Sequence, residues 1–139
     1  MNNPSTHRSR LFRAVLPAVI WAALIFVASS IPSEDIPASP ILDYDKLIHM
    51  AIYFVFAALM YRALRFGGIS PALRTRAAIL TIGIITLYGA TDEFHQHFVP
   101  GRTMDVFDWV ADVAGGILCV VVLSFLSRWN RRKDASPES

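Results

Sequence analysis

Apolar residues come in four runs separated by short polar stretches. The first is uncharged from Ala14 to Ser33, with its hydrophobic part at Ala14–Ala28; the others are Leu47–Tyr61, Ala77–Thr91 and Val113–Ser127. The last three are 15 residues long, shorter than the roughly 20 that cross a bilayer core of about 30 Å. Each gains the missing turn from a polar stretch at one end: Asp45-Lys46, Asp92–Phe98 and Asp105–Asp112. The pattern therefore predicts four spanning helices at 12–31, 45–64, 77–98 and 106–127. Buried helices of a soluble protein would show a polar face at 3.6-residue spacing. Segments such as AIYFVFAALMY and AILTIGIITLYGA are apolar all round. The expected fold class is an all-α, four-transmembrane-helix bundle.

The segment IPSEDIPASP, with three prolines, reads as an extended loop, and Pro100-Gly101 as a tight turn between the last two helices. Proline cannot continue the helical bonding there, and glycine tolerates positive φ. Residues 1–11 read as a cytoplasmic tail, 12–127 as the membrane domain, and 128–139 as a basic, then disordered, cytoplasmic tail. A second reading of the first run is a secretory signal peptide, with Ala28-Ser29-Ser30 as a small-residue cleavage site.

Composition agrees with the pattern. AVILMFWYC make up 54% of the 139 residues and DEKR only 17%, against about 45–50% and 25% in ordinary soluble domains. The single cysteine, Cys119, excludes an intramolecular disulfide and a cysteine-based metal site. Charge is divided by side. Arg8, Arg10, Arg13, Arg62, Arg65, Arg74, Arg76, Arg128, Arg131, Arg132 and Lys133, eleven of thirteen basic residues, fall at one end of the helices. Lys46 and Arg102 fall at the other, with nine of the eleven acidic residues. The positive-inside rule then predicts both termini inside, in an inner (cytoplasmic) membrane. The basic ends read as topology signals and lipid contacts, not as a nucleic-acid footprint.

Polar groups within the spans carry the chemistry. Lys46, His49 and Tyr53 recur at i, i+3 and i+7 on the second helix, with Asp45 one turn before His49. On the third, Tyr88, Asp92 and Gln96 are spaced i, i+4, i+8, with Glu93 beside them. On the fourth, Asp105, Asp108, Asp112 and Gly115 fall within an arc of about 80° at 100° per residue. Below each stripe lie about 15 apolar residues, roughly 22 Å at 1.5 Å each, so all three stripes reach a similar depth. An ionised side chain facing lipid at a helix centre costs on the order of 2.5–3.5 kcal/mol, so such residues turn inward. Lys46 and Asp105, nearer the interface, have the option of snorkelling, and Tyr53 and Tyr88 that of an interfacial belt. Asp112 is the deepest and has neither.

The joint order Asp45-Lys46-x-x-His49, Tyr88-Gly89-x-x-Asp92-Glu93-x-x-Gln96, Pro100-Gly101-Arg102 and Asp108-x-x-x-Asp112-x-x-Gly115 resembles the VanZ-like family over roughly residues 14–127. That family takes its name from an accessory protein of glycopeptide-antibiotic (teicoplanin) resistance. The resemblance implies a small multi-helix membrane protein without a settled activity. By motif position it points to Asp45, Lys46, His49, Asp92, Glu93, Gln96, Arg102 and Asp108. Many members carry Asn at the position of Asp112, so this chain's cluster is the more acidic.

Several chemistries stay open. His49, Glu93, Asp92 and Asp108 are the candidates for acid–base work. Lys46, Arg102, Gln96, Asp45, Asp112, Tyr53 and Tyr88 are the candidates for holding a ligand. The natural anion at this depth is the phosphate or pyrophosphate of a lipid headgroup, and the family resemblance implies an anionic cell-envelope lipid, such as a polyprenyl-linked intermediate, or a glycopeptide-related molecule. No Ser or Cys nucleophile lies in the stripes. His49, Asp92, Glu93, His95 and His97 offer metal donors, but His95-x-His97 splays its rings about 200° apart on a helix and no HExxH pattern exists. No metal or other cofactor is therefore expected. The alternatives are a small transporter with a proton relay and a purely structural network in which Lys46 and Arg102 pair with acidic neighbours and Gly115-Gly116 permits close packing.

Overall fold

The computed structural model describes residues 4–35, 44–67 and 70–134. These residues form five α-helices in order: α1 Pro4–Ser29, α2 Asp45–Phe66, α3 Pro71–Thr75, α4 Ala77–Gln96 and α5 Val106–Asp134. Among the described residues there is no strand. The four long helices are each apolar and long enough to cross a bilayer, so the chain is an all-helical, multi-pass membrane protein.

The helix ends outrun the apolar boundaries. α1 starts at Pro4, inside the stretch expected as a tail, and α5 continues through Arg128–Lys133 to Asp134. Charge marks where hydrocarbon gives way to headgroups, whereas a helix ends where its backbone bonding stops. Arg and Lys are good helix formers, so nothing halts α5 at 128. Its 29 residues span about 44 Å, more than the roughly 30 Å core. The tail expected from 128 is thus helical up to Asp134; residues 135–139 lie outside the described residues. α4 stops at Gln96, two residues early, as Phe98 and Val99 donate to the carbonyls of His95 and Gln96 at 3.0 Å ahead of Pro100. The loop read as extended begins with a 3-10 turn at Ser33–Asp35; residues 36–43 lie outside the described residues. α3 is a one-turn helix with Pro71 in its first turn, capped by the Ser70 hydroxyl, which accepts from the Leu73 N–H at 3.2 Å.

α2 is the central helix, packed against α5 most extensively and also against α1 and α4. Lys46 lies beside Asp108, His49 beside Asp112 and Met50 beside Gly115, so α2 and α5 advance in the same direction. Gly115 makes that approach possible: a Cβ there would collide with the Met50 carbonyl. A Cβ at Gly116 would lie 2.9 Å from Ile85 Cγ2 on α4. Small residues at membrane-helix crossings let backbones approach in this way. α1 touches α2 and α4 but makes no comparable contact with α5.

Below the polar layer the core is Ala18, Ile25, Tyr53, Phe56, Ala57, Ile85 and Cys119. Aromatic donors tie neighbouring helices through carbonyl oxygens that have a lone pair to spare. Trp21 Nε1 donates to Ile52 O at 3.1 Å, Tyr88 Oη to Ala22 O at 2.6 Å, and Trp109 Nε1 to Thr86 O at 3.0 Å. Pro17 sits inside α1 and has no N–H for the Arg13 carbonyl. Arg62 of α2 donates to that carbonyl instead, at 3.4 Å. Large apolar side chains such as Val19, Leu24, Ile79, Leu87, Val121 and Phe125 remain exposed along the outer faces, as a lipid-facing surface requires.

Candidate functional site

The three polar stripes meet at one end of the bundle, where α2 and α5 begin and α1 and α4 end. They form three linked groups.

The first is the rim. Lys46 Nζ lies 2.7 Å from Asp105 Oδ2 and 2.6 Å from Asp108 Oδ1. Asp108 is buried, whereas the Lys46 side chain is 49% exposed. The lysine thus keeps one side in water while neutralising a carboxylate that cannot reach it. Hydrogen bonds from the Lys46 ammonium and the Phe107 N–H hold the Asp105 carboxyl below its ordinary range. Asp105 also donates its backbone N–H to Glu93 Oε2 at 2.9 Å, which links the rim to α4.

The second group is the centre, formed by His49, Glu93 and Asp112 from three different helices. His49 Nδ1 lies 3.0 Å from Asp112 Oδ1, and its Nε2 lies 3.8 Å from Asp45 Oδ1. Asp112 is fully buried and Glu93 is 3% exposed. Gly89 makes room for Asp112 against α4, since a Cβ there would sit 2.9 Å from Asp112 Oδ2. One donor atom from each of His49, Glu93 and Asp112 lies within 4.8 Å of the others. Asp45, His49 and Asp108 form a second such set, more open to water.

The third group faces α1. Ser29 Oγ donates to Asp92 Oδ1 at 2.6 Å, and Gln96 Nε2 lies 3.5 Å from Asp92 Oδ2. Beside it a cavity of about 170 Å³ is lined by Asp45, His49, Tyr53, Asp92, Gln96 and Arg102, together with the apolar side chains of Ile25, Ile48 and Ile52. Tyr53 is buried beside the rings of Phe56 and Tyr88, which pack on each other at 5.1 Å, and among the described residues its hydroxyl has no hydrogen-bond partner. Gly101 adopts φ +72°, the conformation expected of the Pro-Gly turn. Arg102 is half-buried at the cavity, where Nε donates to Ile31 O at 3.2 Å and Nη2 lies 3.4 Å from Ala28 O. The guanidinium therefore caps the C-terminal end of α1, where unsatisfied carbonyls favour a cation. Among the described residues it makes no ion pair.

The structure sorts the sequence candidates. His49, Asp45, Asp92, Gln96, Tyr53 and Arg102 line the cavity, while Glu93, Asp108 and Asp112 lie behind it and Lys46 on the rim. Tyr88 is no part of the cavity; its hydroxyl is taken by the Ala22 carbonyl. His95 turns away from the centre, stacks on Phe26 with centroids 4.5 Å apart and lies 3.0 Å from Ser30 Oγ. His97 is exposed against the Phe98 ring. One participant escaped sequence reasoning: Ser29 reads in the sequence only as part of a cleavage-like motif, with no signal for its role beside Asp92. Asp105 lies on the polar arc with Asp108 and Asp112 but has no assigned role in the sequence; the structure gives it the Lys46 ammonium and the link to Glu93.

The model of the VanZ/LLP1 family matches residues 12–127, which contain all of these groups. An uncharacterized protein of Schizosaccharomyces pombe is 32% identical over 115 residues, covering 82% of this chain and 67% of that relative. No solved structure matches the chain significantly. A family match that spans the whole bundle, polar layer and Pro-Gly turn included, places this chain in the VanZ/LLP1 family.

Proposed function

We propose that the chain binds the anionic head group of an envelope lipid at the polar end of the bundle, and that this end faces the extracytoplasmic side. The observation that carries the reading is Arg102, a guanidinium at the cavity with no carboxylate partner among the described residues. A cavity of about 170 Å³ is smaller than the roughly 300–1,000 Å³ of sites that enclose drug-sized ligands. It suits a phosphate-sized group, with Ile25, Ile48 and Ile52 offering an apolar path for the attached chain. The basic residues at the opposite end support the orientation.

The test uses the purified chain in nanodiscs of phosphatidylcholine doped with phosphatidylglycerol, with retained lipid read by native mass spectrometry. Wild type is expected to retain the anionic lipid, and Arg102→Ala to lose it while folded protein stays at the wild-type level. Arg102→Lys should lose nearly as much, because a planar fork serving two carbonyls and an anion has no ammonium equivalent. Equal retention by wild type and Arg102→Ala would remove the site. Orientation is read separately: reporter fusions at Arg132 should be cytoplasmic and at Pro37 external, and the reverse result refutes it.

A purely structural reading is favoured by one observation, the Lys46 bridge to Asp105 and Asp108. It predicts that substitutions in the polar layer lower abundance and leave no separate binding defect.

A further inference from the structure

The polar layer is unbalanced. Asp45, Asp92, Glu93, Asp105, Asp108 and Asp112 face two permanent cations, Lys46 and Arg102, and one histidine. Lys46 is committed to Asp105 and Asp108, and Arg102 stands at the end of α1, where it donates to the Ile31 and Ala28 carbonyls rather than to the central carboxylates. That leaves the centre without a cation of its own apart from His49.

Among the described residues, two buried oxygens there have no hydrogen-bond partner. Glu93 gives Oε2 to the Asp105 N–H and leaves Oε1 without a partner. Asp112 gives Oδ1 to His49 and leaves Oδ2 without one. Both side chains are more than nine-tenths buried, at 3% and 0% exposure. Buried carboxylate oxygens in native proteins are almost always hydrogen-bonded, paired or bound to metal.

From these observations we propose that His49, Glu93 and Asp112 form a binding site for one divalent transition-metal cation. Their donor atoms lie within 4.8 Å of one another, and donors on a tetrahedral ion with bonds of about 2.0–2.2 Å stand roughly 3.4 Å apart. Small side-chain movements close that gap. One imidazole with two carboxylates selects the Zn²⁺ and Mn²⁺ class over Mg²⁺ or Ca²⁺, which prefer oxygen alone. When Nδ1 of His49 takes the metal, Nε2 faces Asp45 Oδ1, now 3.8 Å away, the carboxylate that orients a ligating histidine in metal sites. Gly89 leaves space for Asp112 against α4. The alternative set of Asp45, His49 and Asp108 is the weaker site, because Lys46 already neutralises Asp108. Linear spacing does not announce the chosen donors, since each comes from a different helix. The proposal stands independently of lipid binding.

The experiment is equilibrium dialysis of the full-length, chelator-stripped chain in detergent against Zn²⁺ alone, with bound metal measured by mass spectrometry. Wild type should take up one ion per chain and gain thermal stability on loading. Glu93→Gln, Asp112→Asn and His49→Gln should each weaken binding at least tenfold and abolish that gain, whereas His97→Gln keeps both. Absence of stoichiometric uptake by wild type overturns the proposal. So does unchanged affinity in all three ligand variants. Where those variants fail to fold, zinc-edge X-ray absorption of the wild-type chain decides. A single imidazole in an otherwise oxygen shell supports the site, and two or more imidazoles place the ion elsewhere.

Discussion

The α2–α5 and α1–α4 seams are both parallel pairs of helices that are not neighbours in sequence, yet they are held in different ways. Between α2 and α5, ionisable side chains face each other at successive turns, Lys46 with Asp108 and His49 with Asp112, directly above a glycine pressed on a carbonyl. Between α1 and α4 the contacts are neutral donors: Ser29 on Asp92, Ser30 beside His95, and Tyr88 on the Ala22 carbonyl. Ionisable pairs thus lie where the helices are closest, because burial makes an uncompensated charge most costly there. The other seam uses short hydrogen bonds of 2.6–3.0 Å and fewer packed side chains. α1, which does not pack against α5, is therefore the long helix with the least holding it in place.

The largest test of that contrast is Gly115→Val. The added side chain meets the Met50 backbone rather than a flexible neighbour, so the cost should exceed the roughly 1–3 kcal/mol of ordinary overpacking. Folded protein recovered from membranes should fall to a small fraction of wild type. Near-normal recovery would show that the α2–α5 approach is not required.

Lys46→Met comes next. It strands the buried Asp108 carboxylate, while Asp105 can still turn to water. With the lysine half exposed, the expected loss is moderate but larger than for either change on the other seam, read as denaturation in detergent. The same change in an Asp108→Asn background should cost clearly less. Additivity of the two substitutions would show that the pair is not coupled.

On the other seam the effects should be smaller and graded. Ser29→Ala removes a 2.6 Å hydrogen bond to Asp92 and should cost about 1.5–2 kcal/mol, whereas Tyr88→Phe should cost about 0.5–1.5 kcal/mol. If either exceeds the loss in Lys46→Met, the ranking of the two seams is reversed.

Much of the architecture is legible along the chain. Four uninterrupted apolar runs leave the backbone no way to satisfy its hydrogen bonds in lipid except as helices, and the spans appear where the runs lie. Pro100-Gly101 dictates a break and a positive φ through local sterics alone. Stripe spacing places Lys46 with His49, and Asp108 with Asp112, because rotation per residue within one helix is constant. Which stripe meets which is a different quantity. It depends on the relative rotation and height of separate helices, set by contacts such as Gly115 on Met50 and Gly89 around Asp112. Only the tertiary structure therefore decides that Lys46 takes Asp105 and Asp108, that Ser29 serves Asp92, that His95 stacks on Phe26 away from the centre, and that Arg102 caps α1. Periodicity determines an angle on one helix; pairing requires two helices to be placed.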